Sequence, residues 1–196
     1  MRFDLASEWR LSCGRKGIPE IPDPCIGLNE NAVQWVHECD WTFAKEFELE
    51  PEFLASKVIF LNIDSIDTFG EIRINGEFAG RSENMFSRFR TDVKKLLKPG
   101  LNRIEILIKS PSRRALEESR NQSFELVSLK FMNSVPLQCH GGWDWGITLV
   151  GSGFPRVLRV RGSKGSACRF QRQQLHASSG KSARADFCRR FEQRGT

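Results

Sequence analysis

The stretch EIRINGEFAG, residues 71–80, constrains the fold most because it contains a short and specific turn signal. Ile72 and Ile74 alternate with charged residues as far as the dipeptide Asn75-Gly76. Asn-Gly accepts the two positive φ angles of a type I′ turn, which joins two antiparallel strands. The sequence therefore predicts a β-hairpin, and Asn75 and Gly76 are interpreted as turn residues rather than binding residues.

Further strands are predicted on both sides of this hairpin. Residues 41–50 alternate in the manner of a half-buried strand, and the apolar run 57–64 is typical of a strand covered on both faces. Shorter alternating or apolar runs predict strands at 104–108, 147–150 and 156–161.

Helical signals are sparse. Apolar spacing predicts one helical turn over residues 93–97, which Pro99-Gly100 ends, and an exposed helix over residues 112–122. Many short strands joined by turns are typical of all-β proteins built from two packed antiparallel sheets. The predicted fold class is an antiparallel β-sandwich.

The charge of the chain is unevenly distributed. Residues 1–161 contain 22 basic and 22 acidic side chains, whereas residues 162–196 contain eight basic and two acidic ones and account for the net charge of +6. The second segment has one Leu and no Val, Ile, Met or Trp, too little apolar surface to offset the entropy of ordering. We expect a domain at 1–161 followed by a disordered, non-native tail at 162–196. A tail that binds nucleic acid is the alternative, but the neutral domain predicts no nucleic-acid partner.

Cysteine and hydropathy patterns exclude several classes of protein. None of the six cysteines forms a CxxC pair, and no His lies at metal-ligand spacing from one, so we expect no metal and no cofactor. The N-terminus has no apolar segment typical of a secretion signal, and no run approaches the length of a membrane span. The expected location is the cytoplasm, with reduced thiols and no membrane partner.

The sequence CHGGWDWG, residues 139–146, is the strongest functional signal. It places Asp144 between Trp143 and Trp145, with glycines on either side. An indole can cover the apolar face of a pyranose while a carboxylate accepts hydrogen bonds from two adjacent hydroxyls, which together make a sugar site. A buried tryptophan cluster whose Asp caps a turn is the alternative interpretation.

Several motifs in a fixed order resemble one family. The order is WTFAKEFEL, then IFLNIDSIDTFGEIRINGEFAGRSENMFSRFRTDVKKLLKPGLNRIEI, then QCHGGWDWG, preceded by IPDPCIGLNENAVQWV. This order resembles the N-terminal sugar-binding domain of β-mannosidases of glycoside hydrolase family 2, over about residues 5–161. The resemblance implies a jelly-roll sandwich of the galactose-binding-like type. In intact enzymes this domain precedes immunoglobulin-like domains and a (β/α)8 barrel that supplies the two glutamates of a retaining mechanism.

The resemblance also implies roles for the WDWG loop. In family members this loop reaches the barrel, so Asp144 is expected to accept hydrogen bonds from mannose hydroxyls while Trp143 and Trp145 shape the pocket wall. No catalytic residue is expected within these 196 residues, which are interpreted as a fragment of a β-mannosidase-like enzyme that is inactive alone. A free-standing carbohydrate-binding module and an interaction domain that has lost the site are the alternatives.

Four other polar residues receive structural interpretations. Asp67 is expected to accept backbone N–H bonds at a strand end rather than to touch a ligand. Asn84 is expected to satisfy buried backbone groups, and an approach to the barrel interface is the alternative. Glu117 and Glu118 are adjacent, so on a helix they are expected to point in different directions and to form a solvated face rather than a catalytic pair.

Overall fold

Two antiparallel sheets form the fold in the computed structural model, which describes residues 2–5, 8–14, 18, 21–120, 149–154 and 158–163. The strands in the described residues are β1 (Arg2–Asp4), β2 (Arg10–Cys13), β3 (Trp41–Leu49), β4 (Val58–Ile63), β5 (Gly70–Ile74), β6 (Glu77–Ser82), β7 (Phe89–Asp92), β8 (Gly100–Ile108) and β9 (Leu158–Ser163). One sheet has the order β1-β9-β4-β7 and the other the order β2-β3-β8-β5-β6. All neighbouring strands run antiparallel. The predicted fold class is confirmed.

The core lies between the two sheets and consists mainly of isoleucine. Alternate residues of β4, β5 and β8 point inward, because successive side chains of a strand face opposite sides of a sheet. Each such isoleucine is at most 1% exposed, and full burial of one contributes about 1.5–3 kcal/mol: Ile59, Ile63, Ile72, Ile74, Ile104, Ile106 and Ile108.

Strand β4 is covered differently on its two faces. Ile59, Leu61 and Ile63 are fully buried, but the residues between them are only half-buried. On that second face the Arg90 guanidinium lies over the Phe60 ring, 4.0 Å from its centroid. The strand is therefore packed against another layer on one face only, and long side chains partly cover the other.

The predicted hairpin is confirmed. Asn75 has φ 53° and Gly76 has φ 86°, the two left-handed conformations that a type I′ turn requires. Strands β5 and β6 pair on either side of the turn, with a register shift between Ile72 and Arg73. The turn residues serve the geometry of the hairpin, as the sequence predicts.

Strand β8 begins four residues before the predicted start. The predicted helical turn is a 3-10 helix at Lys94–Leu96, and the strand follows at Gly100. The inward position nearest this end is Asn102, which is 1% exposed. A buried polar residue breaks the apolar alternation, so the sequence pattern predicts a strand that is shorter than the observed one.

The remaining helices are short except for the last. They are α1 (Asn29–Ala32), a 3-10 helix at Gln34–Glu38, α2 (Pro51–Leu54) and α3 (Pro111–Arg120). Helix α3 confirms the predicted helix, but the expectation that it is an exposed excursion is wrong. Ala115 is fully buried, because one face of α3 packs against the 3-10 helix at Gln34–Glu38.

The C-terminal predictions are partly covered by the described residues. The strand predicted at 156–161 is β9, which continues to Ser163. Leu149 and Val150 are not in a strand, while the rest of the strand predicted at 147–150 lies outside the described residues. The predicted tail lies outside them from residue 164 onward.

Candidate functional site

The predicted site residues Trp143, Asp144 and Trp145 lie in the segment 121–148, which is outside the described residues. The structure does describe what holds both ends of this segment. Helix α3 leads into it, and residues 149–154 follow it. The surroundings of these two ends form the described framework of the candidate site.

Hydrogen bonds and an ion pair attach the start of α3 to the segment that precedes β3. The Ser110 hydroxyl donates to the His37 carbonyl at 2.8 Å and accepts from the Arg113 backbone N–H at 3.1 Å, which caps the helix. The Ser110 backbone N–H donates to Asp40 at 2.7 Å, and the Arg113 guanidinium forms an ion pair with the same carboxylate at 2.7 Å. These contacts fix the point at which α3 leaves the sandwich.

Further along α3, Arg114 makes three contacts. Its guanidinium pairs with Glu117 and with Glu118, each at 2.6 Å, and lies 4.7 Å from the centre of the Phe69 ring. Glu117 and Glu118 form a solvated face as predicted, since their side chains are 55% and 37% exposed. One guanidinium reaches both carboxylates through its two terminal nitrogens.

The segment after the predicted site is fastened to the loop 64–69. The Asp67 backbone N–H donates to the Gly153 carbonyl at 2.7 Å, and the Gly153 N–H donates to the Asp67 carbonyl at 3.1 Å. The Asp67 carboxylate accepts a hydrogen bond from the Thr68 hydroxyl. Asp67 thus has a structural role, as predicted, although these backbone contacts use its peptide atoms rather than its carboxylate.

Phe154 anchors the same segment by packing. Its ring lies edge-on to Trp9, with centroids 4.9 Å apart, and edge-on to Phe43 at 5.0 Å. The Trp9 indole N–H donates to the Leu5 carbonyl at 2.9 Å, which holds the first of these rings in place. Edge-to-face aromatic pairs contribute about 0.5–1.5 kcal/mol beyond the area they bury.

Described residues that precede and follow the predicted site therefore contact one short loop, 64–69. Arg114 on the incoming helix lies over Phe69, and Gly153 on the outgoing side pairs with Asp67, two residues away. The loop 64–69 therefore contacts described residues on both sides of the range that contains the predicted site.

Burial affects one ionisable group beside this framework. His37 is 9% exposed, and desolvation lowers the pKa of its imidazole below the ordinary value of 6.5, while the charge of Glu38 opposes the shift. The neutral imidazole is therefore the favoured form next to the start of α3.

A shallow, solvent-open cleft of about 240 Å³ lies elsewhere, on the charged outer face of the five-stranded sheet. The Arg103 guanidinium pairs there with Glu105 at 2.7 Å and with Glu46 at 4.0 Å, and the hydrogen bond to Glu105 raises the pKa of Arg103. This cleft has no aromatic ring to cover a sugar; its lining residues are Glu8, Arg10, Ala44, Lys45, Glu46 and Arg103.

Metal and disulfide chemistry receive no support from the described part of the chain. Within it, no three His, Cys, Asp or Glu residues are placed to hold a metal ion. Cys13 and Cys39 are free thiols. No helix among the described residues is both long and apolar enough to cross a membrane.

Comparison with known proteins shows which family this domain belongs to. Residues 17–156 match the family model of the glycosyl hydrolase 2 galactose-binding-like domain. The chain belongs to this family. The matched range includes the hairpin, α3, the WDWG sequence and the Asp67–Gly153 bridge, but not Trp9, which packs against Phe154.

Individual members of the family give the same result. The chain is 34% identical to β-mannosidase B of Emericella nidulans over 148 residues and 36% identical to that of Aspergillus clavatus over 149 residues. Each match covers 72% of this chain and 17% of the relative, so the chain spans about a sixth of their length. The crystal structure of β-D-mannosidase from Dictyoglomus thermophilum superimposes with a TM-score of 0.77 at 33% identity, over 83% of this chain and 22% of that one. The galactose-binding-like domain predicted from the sequence is confirmed.

Sequence reasoning missed the residues that attach the family's WDWG segment to the sandwich. A serine directly before Pro111 is a helix start signal, so the cap at Ser110 could have been predicted. The contact of Ser110 with Asp40 joins positions 70 residues apart, and no local sequence pattern predicts it.

Proposed function

We propose that this chain is the sugar-binding domain of a β-mannosidase-like glycoside hydrolase, whose parent reaction removes terminal, non-reducing β-D-mannose residues with retention. Membership of the glycosidase domain family supports a sugar-binding domain. The observation that carries the choice of mannose is the name β-mannosidase, shared by curated relatives at 34–36% identity and by the superimposed structure at 33%.

In this proposal Asp144 contacts the mannose directly. Its carboxylate accepts hydrogen bonds from two adjacent hydroxyls, which are stronger than bonds between neutral groups. Trp143 and Trp145 form the apolar wall on which the C–H face of the pyranose lies. The two attachments to the loop 64–69 support this role, because a binding segment held at both ends loses less entropy when it meets its ligand.

We further propose that the 196-residue chain does not hydrolyse β-mannosides alone. Retaining hydrolysis needs two carboxyl groups about 5 Å apart, one to attack the anomeric carbon and one to protonate the leaving oxygen. The WDWG motif supplies one carboxylate. The barrel and immunoglobulin-like domains of a parent enzyme are therefore the proposed partners, and a mannoside the proposed ligand.

Two assays on the purified chain test this function. We expect methyl β-D-mannoside to bind with a Kd in the millimolar range or weaker, and methyl β-D-glucoside, which differs only at C2, to bind more weakly still. We expect no release of nitrophenol from 4-nitrophenyl β-D-mannoside. Turnover by the pure chain would refute the non-catalytic assignment, and equal affinity for the two epimers would refute the choice of mannose.

A further inference from the structure

Phe86 presents an exposed aromatic ring at the tip of the loop 83–88, between β6 and β7. The residue is 67% exposed, more than Phe78 at 54%, the other strongly exposed phenylalanine of the described residues. A ligand that covers this ring removes apolar surface from water, which is favourable.

Hydrogen bonds hold the loop that carries Phe86. The Phe86 backbone N–H donates to the Asn84 side-chain oxygen at 2.9 Å, and the Ser87 N–H donates to the Asn84 carbonyl at 3.2 Å. The Ser65 hydroxyl donates to the Met85 carbonyl at 2.6 Å, which ties this loop to the loop 64–69. Asn84 thus satisfies a backbone group, as predicted, although this group is exposed rather than buried. The backbone of the loop is organised before any ligand arrives.

An accessible ion pair lies at the base of the two loops. The Arg88 Nε atom is 3.0 Å from Asp64 Oδ1, and the two side chains are 65% and 40% exposed. The contact orients both groups, and their exposure leaves further donor and acceptor atoms open to solvent. A guanidinium and a carboxylate are the groups that bind pairs of adjacent hydroxyls.

The surroundings of Phe86 favour a sugar over a protein partner. The neighbours Glu83, Asn84, Ser87 and Arg88 are all polar and exposed. A protein interface buries many side chains around an apolar core, whereas a pyranose needs one ring for its C–H face and polar groups for its hydroxyls. The loop 83–88 offers one exposed ring and several polar groups, which is the combination that a pyranose needs.

We propose that Phe86, Asp64 and Arg88 form a second carbohydrate contact, which takes a pyranose unit of a mannan-type oligosaccharide. The phenyl ring stacks on the sugar, and the ion pair binds its hydroxyls. The contact is separate in sequence from Asp144, but the loop 64–69 joins Met85 on one side and Gly153 on the other. The choice of a mannan-type ligand rests on the proposed function. The choice of Phe86, Asp64 and Arg88 rests on their exposure and contacts alone.

Titration of the 196-residue protein with β-1,4-mannotriose, followed by NMR, tests the contact. Phe86→Ala is expected to weaken binding about fivefold, the size of a lost aromatic contact, and Asp64→Asn to weaken it as well. The matched control is Phe78→Ala, which removes the other strongly exposed ring, on β6, and should leave the Kd unchanged. Thermal unfolding of each variant checks that the fold is retained, as expected for substitutions of exposed residues.

The outcomes separate this contact from the proposed role of Asp144. Binding that survives Phe86→Ala unchanged, or falls equally with Phe78→Ala, overturns the second contact. Loss of binding in Asp144→Ala with full binding in Phe86→Ala also overturns it and leaves the proposed function intact. Weakened binding in Phe86→Ala with no effect of Asp144→Ala supports the second contact and overturns the role of Asp144. Absence of saturable mannotriose binding in the wild-type chain overturns both.

Discussion

At the scale of single residues, Asn102 and Asn75 join the hairpin to the beginning of β8. The Asn102 amide donates to the carbonyls of Lys98 and Gly100 at 2.7 and 2.9 Å, and its oxygen accepts from the Lys98 N–H at 3.0 Å and from Asn75 at 2.9 Å. Asn75 also donates to the Leu96 carbonyl at 2.8 Å. A buried network of this kind is stable because all of its members are satisfied.

Replacement of Asn102 should therefore be costly. Asn102→Leu leaves the carbonyls of Lys98 and Gly100 without their donor, so we expect a loss of about 2–4 kcal/mol in the free energy of unfolding. Urea unfolding followed by tryptophan fluorescence measures it. The neighbouring Arg103→Ala removes only exposed ion pairs and should cost less than about 1 kcal/mol. Equal losses in the two variants would contradict the structural role of the network.

His37 predicts a pH dependence of stability. Burial holds its pKa in the folded chain below the ordinary 6.5, so below that pH the unfolded chain binds more protons. The stabilisation that comes from the neutral, buried imidazole is present above pH 6.5 and is lost as the pH falls through 6.5 toward the folded-state pKa.

The comparison of wild type with His37→Gln isolates this effect. Thermal unfolding between pH 7.5 and 5.5 should show a steeper fall in Tm for the wild type, since the other titrating groups are common to both proteins. Parallel curves for the two proteins would show that His37 does not contribute.

At the scale of elements, local signals predicted the hairpin and α3, but not how α3 is attached. Asn75-Gly76 specifies its turn within two residues, and the helix pattern needs only its own sequence. The docking of α3 depends on Ser110 meeting His37 and Asp40, 73 and 70 positions away, which only the folded sheets bring together. The same holds for Asp67 and Gly153, a contact that no spacing in the sequence indicates.

Substitution of Phe154 tests the packing of residues 149–154 against the sandwich. Its half-buried ring packs between Trp9 and Phe43, so Phe154→Ala should cost about 2–3 kcal/mol of unfolding free energy, somewhat less than for a fully buried ring. Phe86→Ala, which removes an exposed ring, should cost less than about 0.5 kcal/mol. Denaturant unfolding of both variants gives the comparison, and a similar small loss in each would contradict the anchoring role of Phe154.

At the scale of the whole molecule, the β-sandwich is the domain that carries the predicted site residues. Two antiparallel sheets enclose the isoleucine core, and Arg114 of α3 and Gly153 both contact the loop 64–69. Strand pattern and motif order predicted the fold class and the family, because both depend on local alternation and short signatures. The position of the WDWG residues depends on long-range contacts, and it remains a prediction.

The affinity of the chain for methyl β-D-mannoside, with and without the Asp144 carboxylate, tests the central claim most directly. We predict that NMR titration of the wild type gives a Kd in the millimolar range or weaker. We predict an affinity at least about tenfold lower for Asp144→Ala at unchanged Tm, since a charged hydrogen-bond acceptor is lost. Unchanged affinity in a folded Asp144→Ala variant would contradict the claim and assign the WDWG sequence a structural role.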